Sequence, residues 1–132
     1  MLTDTISQFL TKVRNASKAG HDTVTVRATK MVRAVCDVLV KRGYIKGIRP
    51  TEITGKTGKQ VKAILIHLDT TRDPLSLTRV SKPGQRIYVG FDAIRPVRNG
   101  FGVGVLSTSR GVITDSDARK HKVGGEYICK VY

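Results

Sequence analysis

The sequence predicts an α+β chain, with an N-terminal α-β-α-β-β domain over residues 1–71 and a mainly β domain with one short helix over residues 72–132. Three observations carry this reading. The first forty or so residues hold two apolar stripes at helical spacing, and later apolar residues fall in short strand-length runs. Between the two patterns lies Thr70-Thr71-Arg72-Asp73-Pro74, a polar stretch broken by proline. At 132 residues and 39% apolar the chain can bury one ordinary core or two small ones, which leaves little room for a large enclosed active site.

Each element has its own signal. From Met1 to Gly20, Leu2, Ile6, Phe9, Leu10, Val13 and Ala16 form one stripe, and Asp4, Ser7, Thr11, Arg14, Asn15 and Lys18 lie opposite. Val24 and Val26 mark a short strand. Thr29 is a suitable N-cap for a second helix with the stripe Met31, Val32, Val35, Val38 and Leu39, ending in the basic turn Lys41-Arg42 and a C′ glycine, Gly43. Tyr44, Ile45, Ile48 and Ile53, then Gly55-Lys56-Thr57-Gly58-Lys59, then the run Val61 to Leu68 read as a hairpin with a basic tip. In the second half, Leu75 to Val80 and Ile87 to Phe91 are strand-like around a Ser81-Lys82-Pro83-Gly84 turn. The glycine-rich Gly100 to Gly104 leads to Val105 and Leu106, Thr114 or Asp115 caps a short helix to about His121, and Glu126 to Tyr132 closes as a strand.

Charge narrows the function. Twenty-four Lys and Arg stand against ten Asp and Glu, a formal net charge of +14. Cut at Thr71, the halves carry thirteen basic against five acidic residues (+8) and eleven against five (+6), so the charge is no appended tail. Folded segments that are basic throughout suit a polyanion such as a phosphate backbone. Cys36 and Cys129 lack zinc or disulfide spacing and read as buried apolar residues in a reducing compartment. No apolar run reaches membrane-spanning length and no signal peptide is evident, so a soluble intracellular protein without metal or cofactor is expected.

Catalytic motifs fail on spacing. Gly55-Lys56-Thr57 resembles the end of a P-loop, but Pro50 stands where its first glycine belongs, and Gly100, Gly102 and Gly104 miss the dinucleotide pattern at Val105. Those glycines read as turn or close-approach positions. His21, His67 and His121 are scattered, while Asp115 and Asp117 suit a helix start better than a catalytic pair. A nuclease would need a metal or acid/base constellation, and an architectural DNA binder would be indifferent to RNA structure.

Ser107-Thr108-Ser109 is different: three hydroxyls follow Val103, Val105 and Leu106 and precede Arg110-Gly111. Hydroxyls donate and accept, which suits ribose hydroxyls, phosphates and base edges, although the same residues also suit a polar hairpin turn. The surrounding residues decide between these readings. Arg79-Val80-Ser81-Lys82-Pro83-Gly84-Gln85-Arg86-Ile87-Tyr88, Gly102-Val103-Gly104, Ser107 through Asp115, Ala118-Arg119, Gly124-Gly125-Glu126 and the helix tail Val13-Arg14-Asn15-Ala16 together resemble the small-subunit ribosomal protein S-eight family, of bacterial and organellar type.

That resemblance implies a two-domain, non-catalytic structural constituent of the small ribosomal subunit, in the bacterial cytoplasm or an organelle. Such a protein binds an irregular helical hairpin in the central domain of small-subunit ribosomal RNA and serves assembly and translation. Implied partners are that RNA and neighbouring small-subunit proteins, with a monomer expected off the ribosome. Its alternatives are a repressor that binds its own messenger RNA and a non-ribosomal binder of structured RNA. The family's hydroxyl loop and Gly-Gly-Glu segment carry over to Ser107, Thr108, Ser109, Arg110, Gly124, Gly125 and Glu126, with Tyr88 beside them and Arg86 and Lys82 as further contacts. Arg14, Asn15, Lys30, Arg33 and Lys56 are the implied backbone contacts of the first domain. Two positions depart from the family pattern: Lys82 replaces a common arginine and loses its planar fork, and Gln85 replaces an apolar residue in the turn.

Overall fold

The computed structural model describes residues 2–82 and 84–132. Pro83, and the faces assigned to Leu2 and Asp4, lie outside the described residues and side chains. The chain is α+β and divides into two compact units, Met1–Leu75 and Ser76–Tyr132.

In the first unit the order is α1 (Leu2–Lys18), β1 (Thr23–Arg27), α2 (Lys30–Lys41), β2 (Gly47–Thr54) and β3 (Gln60–His67). The strands form an antiparallel sheet in the order β1-β3-β2. Ile6, Phe9, Leu10, Val13 and Ala16 of α1 are buried, as the stripe requires, together with Val32, Val35, Cys36, Val38 and Leu39 of α2. One sheet face supplies Val26, Ile64 and Ile66 to this core. Both ends of α2 form through local chemistry. Thr29 Oγ1 accepts from Val32 N at 3.1 Å, while Gly43, at φ 80°, lets its own N–H reach Val40 O and that of Tyr44 reach Leu39 O.

The polar stretch after β3 is held against this unit. Asp69 Oδ1 accepts from Thr71 N at 3.0 Å and from Thr71 Oγ1 at 2.6 Å, and these bonds lower the Asp69 pKa. The Arg72 guanidinium lies 5.0 Å over the Tyr44 ring, and Leu75 is buried with its N–H donated to Ser17 Oγ at 2.8 Å.

In the second unit β4 (Leu77–Arg79), β5 (Tyr88–Val89), β6 (Val103–Thr108), β7 (Gly111–Thr114), α3 (Asp115–His121) and β8 (Gly125–Val131) follow in sequence. The sheet order is β4-β8-β6-β7, with β5 also on β8. The predicted strands Leu75 to Val80 and Ile87 to Phe91 are both shorter in the structure, for one reason. They share a single edge of β8: β4 takes Cys129 to Val131, and β5 takes Gly125 and Glu126. Phe91–Ala93 forms a 3₁₀ turn and Val97–Gly100 an irregular turn with Arg98 and Asn99 at positive φ, neither of which the strand-like composition reveals. On its other edge β8 pairs with β6, with a register shift between Val105 and Leu106.

Leu106, Tyr127, Ile94 and Ala118 form a buried cluster beneath this sheet. Thr114 caps α3 by accepting from Asp117 N at 3.1 Å. Asp115 does more than complement the helix dipole: its buried carboxylate accepts from Gly104 N at 3.0 Å and pairs with Arg119 Nη1 at 2.9 Å. Gly104 packs so closely on the Tyr127 hydroxyl that a Cβ there would overlap it. That hydroxyl is buried and has no hydrogen-bond partner among the described residues, and burial, then the nearby Asp115, raises its pKa to about 12. Burial likewise pushes the Cys36 and Cys129 thiols up to about 12, as expected of inert core cysteines.

Gly104→Ala is expected to cost about 1–3 kcal/mol by overpacking, read from urea or thermal unfolding. Tyr127→Phe removes an unsatisfied buried hydroxyl and is expected to leave the unfolding midpoint unchanged or raise it. A marked loss on Tyr127→Phe would mean that the hydroxyl has a partner.

Candidate nucleic-acid interface

The hydroxyl segment spans the β6–β7 hairpin. Ser107 and Thr108 end β6, Ser109 and Arg110 form the exposed turn, and Gly111, at φ 100°, re-enters β7 in a region open to glycine. The three hydroxyls are not equivalent. Thr108 Oγ1 accepts from Arg110 N at 3.1 Å and donates to Gly111 O at 2.9 Å, so it holds the turn. Ser109 is exposed and Ser107 half-buried. The hairpin turn is therefore present and is held by Thr108, while the Ser109 hydroxyl is exposed at its tip.

Strand register extends this surface. Cross-strand partners share a sheet face, and the pairs Tyr88↔Glu126, Glu126↔Ser107 and Ser107↔Val112 form one row across β5, β8, β6 and β7. Strands lie about 4.8 Å apart, so Tyr88 and Ser107 flank Glu126 within roughly 10 Å. Tyr88 is 69% exposed.

Glu126 is engaged inside the protein. Its Oε2 accepts from Ser81 Oγ at 2.6 Å and from Arg86 Nη1 at 3.0 Å. Ser81 is buried, its Oγ accepts from Ile87 N at 3.2 Å, and its carbonyl accepts from Arg79 Nε at 2.7 Å. Glu126 therefore pins the turn that carries Lys82 and Gln85, whose backbones pair at 3.0 and 3.1 Å, and it offsets the charge of Arg86. Lys82 and Arg110 are exposed and enter no ion pair among the described residues.

Gly124 and Gly125 are required by packing. A Cβ on Gly124 would overlap the Val89 carbonyl, and one on Gly125 the Ser107 carbonyl, so only glycine lets β5, β8 and β6 close up here. The geometry thus brings Lys82, Arg86, Tyr88, Ser107, Thr108, Ser109, Arg110, Gly124, Gly125 and Glu126 to one end of one sheet. Sequence reasoning missed Ser81, which reads as an ordinary turn serine. Its partner, the half-buried Glu126, lies 45 positions away and leaves no local signal.

The first-unit residues occupy three separate elements. Arg14 and Asn15 lie in the last turns of α1, Lys30 and Arg33 begin α2, and Lys56 sits exposed in the β2–β3 turn. Arg33 also lines a groove of about 420 Å³ with Ile48, Pro50, Glu52, Lys62 and Ile64. Among the described residues no cluster of His, Cys, Asp and Glu could hold a metal ion, and no helix is long and apolar enough to cross a membrane.

Residues 4–132 match the family model described as Ribosomal protein S8. Relatives named small ribosomal subunit protein uS8 include those of Sorangium cellulosum and Kosmotoga olearia, each 43% identical over 136 residues and aligned along the whole of both chains. A relative named small ribosomal subunit protein uS8c, from Tupiella akineta, is 40% identical over 134 residues with the same full coverage. A family match of this extent, with relatives this similar end to end, shows that the chain belongs to the ribosomal protein S8 family, structural proteins of the small ribosomal subunit and not enzymes.

Proposed function

We propose that this protein binds an irregular helical hairpin in the central domain of small-subunit ribosomal RNA, and that this binding serves subunit assembly and translation. The observation that carries the reading is the row Tyr88, Glu126, Ser107 beside the exposed Ser109 and Arg110 at one end of the second unit's sheet. It combines an exposed ring, hydroxyls and, in Arg110, a cation that enters no ion pair among the described residues, which suits ribose hydroxyls, phosphates and splayed bases of an irregular A-form helix.

Within this surface the roles divide. Ser109 and Ser107 offer hydroxyls to the RNA, Thr108 keeps the turn in shape, and Glu126 with Ser81 and Arg86 positions the neighbouring turn. Tyr88 is a stacking platform, and Lys82 and Arg110 face phosphates. Arg14, Asn15, Lys30, Arg33 and Lys56 give the first unit sequence-independent backbone contacts, so residues 1–71 add affinity and residues 72–132 select the RNA. The partners are small-subunit RNA and neighbouring small-subunit proteins, and the free protein is a monomer.

Ser109→Ala is expected to weaken binding to the cognate hairpin about three- to tenfold, the worth of one hydrogen bond, with little change on random duplex. Equal losses on both RNAs would remove Ser109 from recognition. Glu126→Gln is expected to act in opposite directions: removing a negative charge strengthens random-duplex binding, while loosening of the 81–87 turn weakens cognate binding. A parallel rise in both affinities would reduce Glu126 to a bare charge. Lys56→Ala should lower affinity for all RNAs and reduce the salt slope by roughly one unit, and an unchanged slope would exclude a phosphate contact.

A further inference from the structure

At the start of β6, opposite the hydroxyl turn, the chain takes an unfavourable path. Arg98 (φ 51°), Asn99 (φ 55°) and Gly100 (φ 96°) are left-handed in succession. A left-handed residue other than Gly or Asn costs about 1–2 kcal/mol, so Arg98 persists there only where the surroundings fix it. The fixing contacts are evident. Val97 is buried, its carbonyl accepts from Gly102 N at 3.0 Å, and Arg98 O accepts from Phe101 N at 3.1 Å. Gly102 lies so near the Val97 side chain and the Val131 carbonyl that a Cβ would meet them at 2.6 and 2.9 Å. The Arg98 guanidinium lies 4.2 Å over the Tyr132 ring.

This well-fixed turn presents the Phe101 side chain to solvent, 86% exposed. A lone exposed apolar residue is ordinary, but here the phenyl ring is carried outward on a left-handed turn that a buried anchor, Val97, holds in place. The chemistry around the ring indicates what it meets. The turn from Ile94 to Gly102 contains no acidic residue and holds Arg95 and Arg98. Arg95 and Arg98 are both exposed, and a guanidinium over an aromatic ring can still donate its N–H groups to an anion.

We infer that the turn from Arg95 to Phe101 is a second RNA contact, in which Phe101 stacks on an unpaired base and Arg95 and Arg98 face the adjoining phosphates. This inference rests on the RNA-binding reading and extends it to a surface outside the hydroxyl site. β6 runs from Val103 to Thr108, so its two ends lie roughly 17 Å apart at about 3.3 Å per residue. The two contacts therefore engage different nucleotides. A ring and arginines without acids favour a nucleic acid over a protein partner, because base stacking and phosphate pairing use both groups.

The chain contains no tryptophan, so Phe101→Trp introduces a single fluorophore at the proposed contact. Two RNAs are titrated into full-length protein: the isolated cognate hairpin, and a transcript of the whole central domain of small-subunit RNA. The transcript is expected to quench the indole fluorescence of Phe101→Trp and the hairpin is not. Phe101→Ala is expected to lose roughly tenfold in affinity for the transcript, the scale of one base stack, and nothing for the hairpin. Phe101→Tyr should retain the wild-type affinity for both. Unchanged unfolding midpoints in all three variants confirm intact folding, as this exposure leads one to expect. Absence of quenching with wild-type affinity of Phe101→Ala for both RNAs overturns the inference, as does quenching by a purified neighbouring small-subunit protein and by neither RNA. Failure of the wild-type protein to bind the hairpin overturns the hydroxyl-site reading instead, and is recognised with Phe101 intact.

Discussion

The second unit depends on β8 serving two partners along one edge. β4 pairs with its last residues and β5 with its first, so the connection between them must fold back over the edge where β8 passes from one partner to the other. Glu126, paired with Tyr88 of β5, stands just before that point and holds the fold-back through Ser81 and Arg86. Hydrogen bonds to a charged group are worth about 1.5–3 kcal/mol each, more than neutral ones, because the carboxylate oxygen is the stronger acceptor. The half-buried setting of Glu126 shields its bond to the buried Ser81 from full solvent screening, whereas the bond to the exposed Arg86 contributes less. Once this junction is fixed, Tyr88, Glu126 and Ser107 fall into one row, and the two glycines before Glu126 let the strands meet without side chains between them.

On the proposed reading, affinity and selectivity have different physical sources. A net charge of +14, spread over both units, attracts any phosphate backbone and is weakened by salt. Selectivity needs groups whose positions are set before the RNA arrives, because a donor that must first be ordered loses much of its worth to conformational entropy. Thr108 bridges the backbone on both sides of its own turn, and this is what orders Ser109 and Arg110. The left-handed turn before β6 holds Phe101 by the same means, with a local backbone closure on a buried anchor.

Features encoded locally are legible in the sequence. The stripes of α1 and α2, the Thr29 cap, the Gly43 stop and the basic hairpin around Lys56 each follow from residues within one or two turns of each other. The short helix capped by Thr114 and the close approach of Gly104 are legible for the same reason. Features set by distant partners are not. The brevity of β4 and β5 reflects competition for one edge of β8, which no window along the chain contains. Resemblance marks Glu126 as an RNA contact, yet its carboxylate is engaged by Ser81, and Asp115 reads as a helix-dipole residue although it also binds Gly104 and Arg119. The 95–101 turn offers only glycine spacing to a sequence reading, because its strain and the exposure of Phe101 arise from where Val97 and Tyr132 lie.

The central claim is that pre-ordered hydroxyls at one end of the second unit's sheet select an irregular RNA helix while distributed charge supplies affinity. Hydroxyl-radical footprinting of central-domain RNA, with and without the full-length protein at near-physiological salt, tests it most directly. The expected result is strong ribose protection concentrated in an irregular helix, unchanged in position as salt rises while the overall fraction bound falls. Protection spread evenly over regular duplexes and fading uniformly with salt would contradict it.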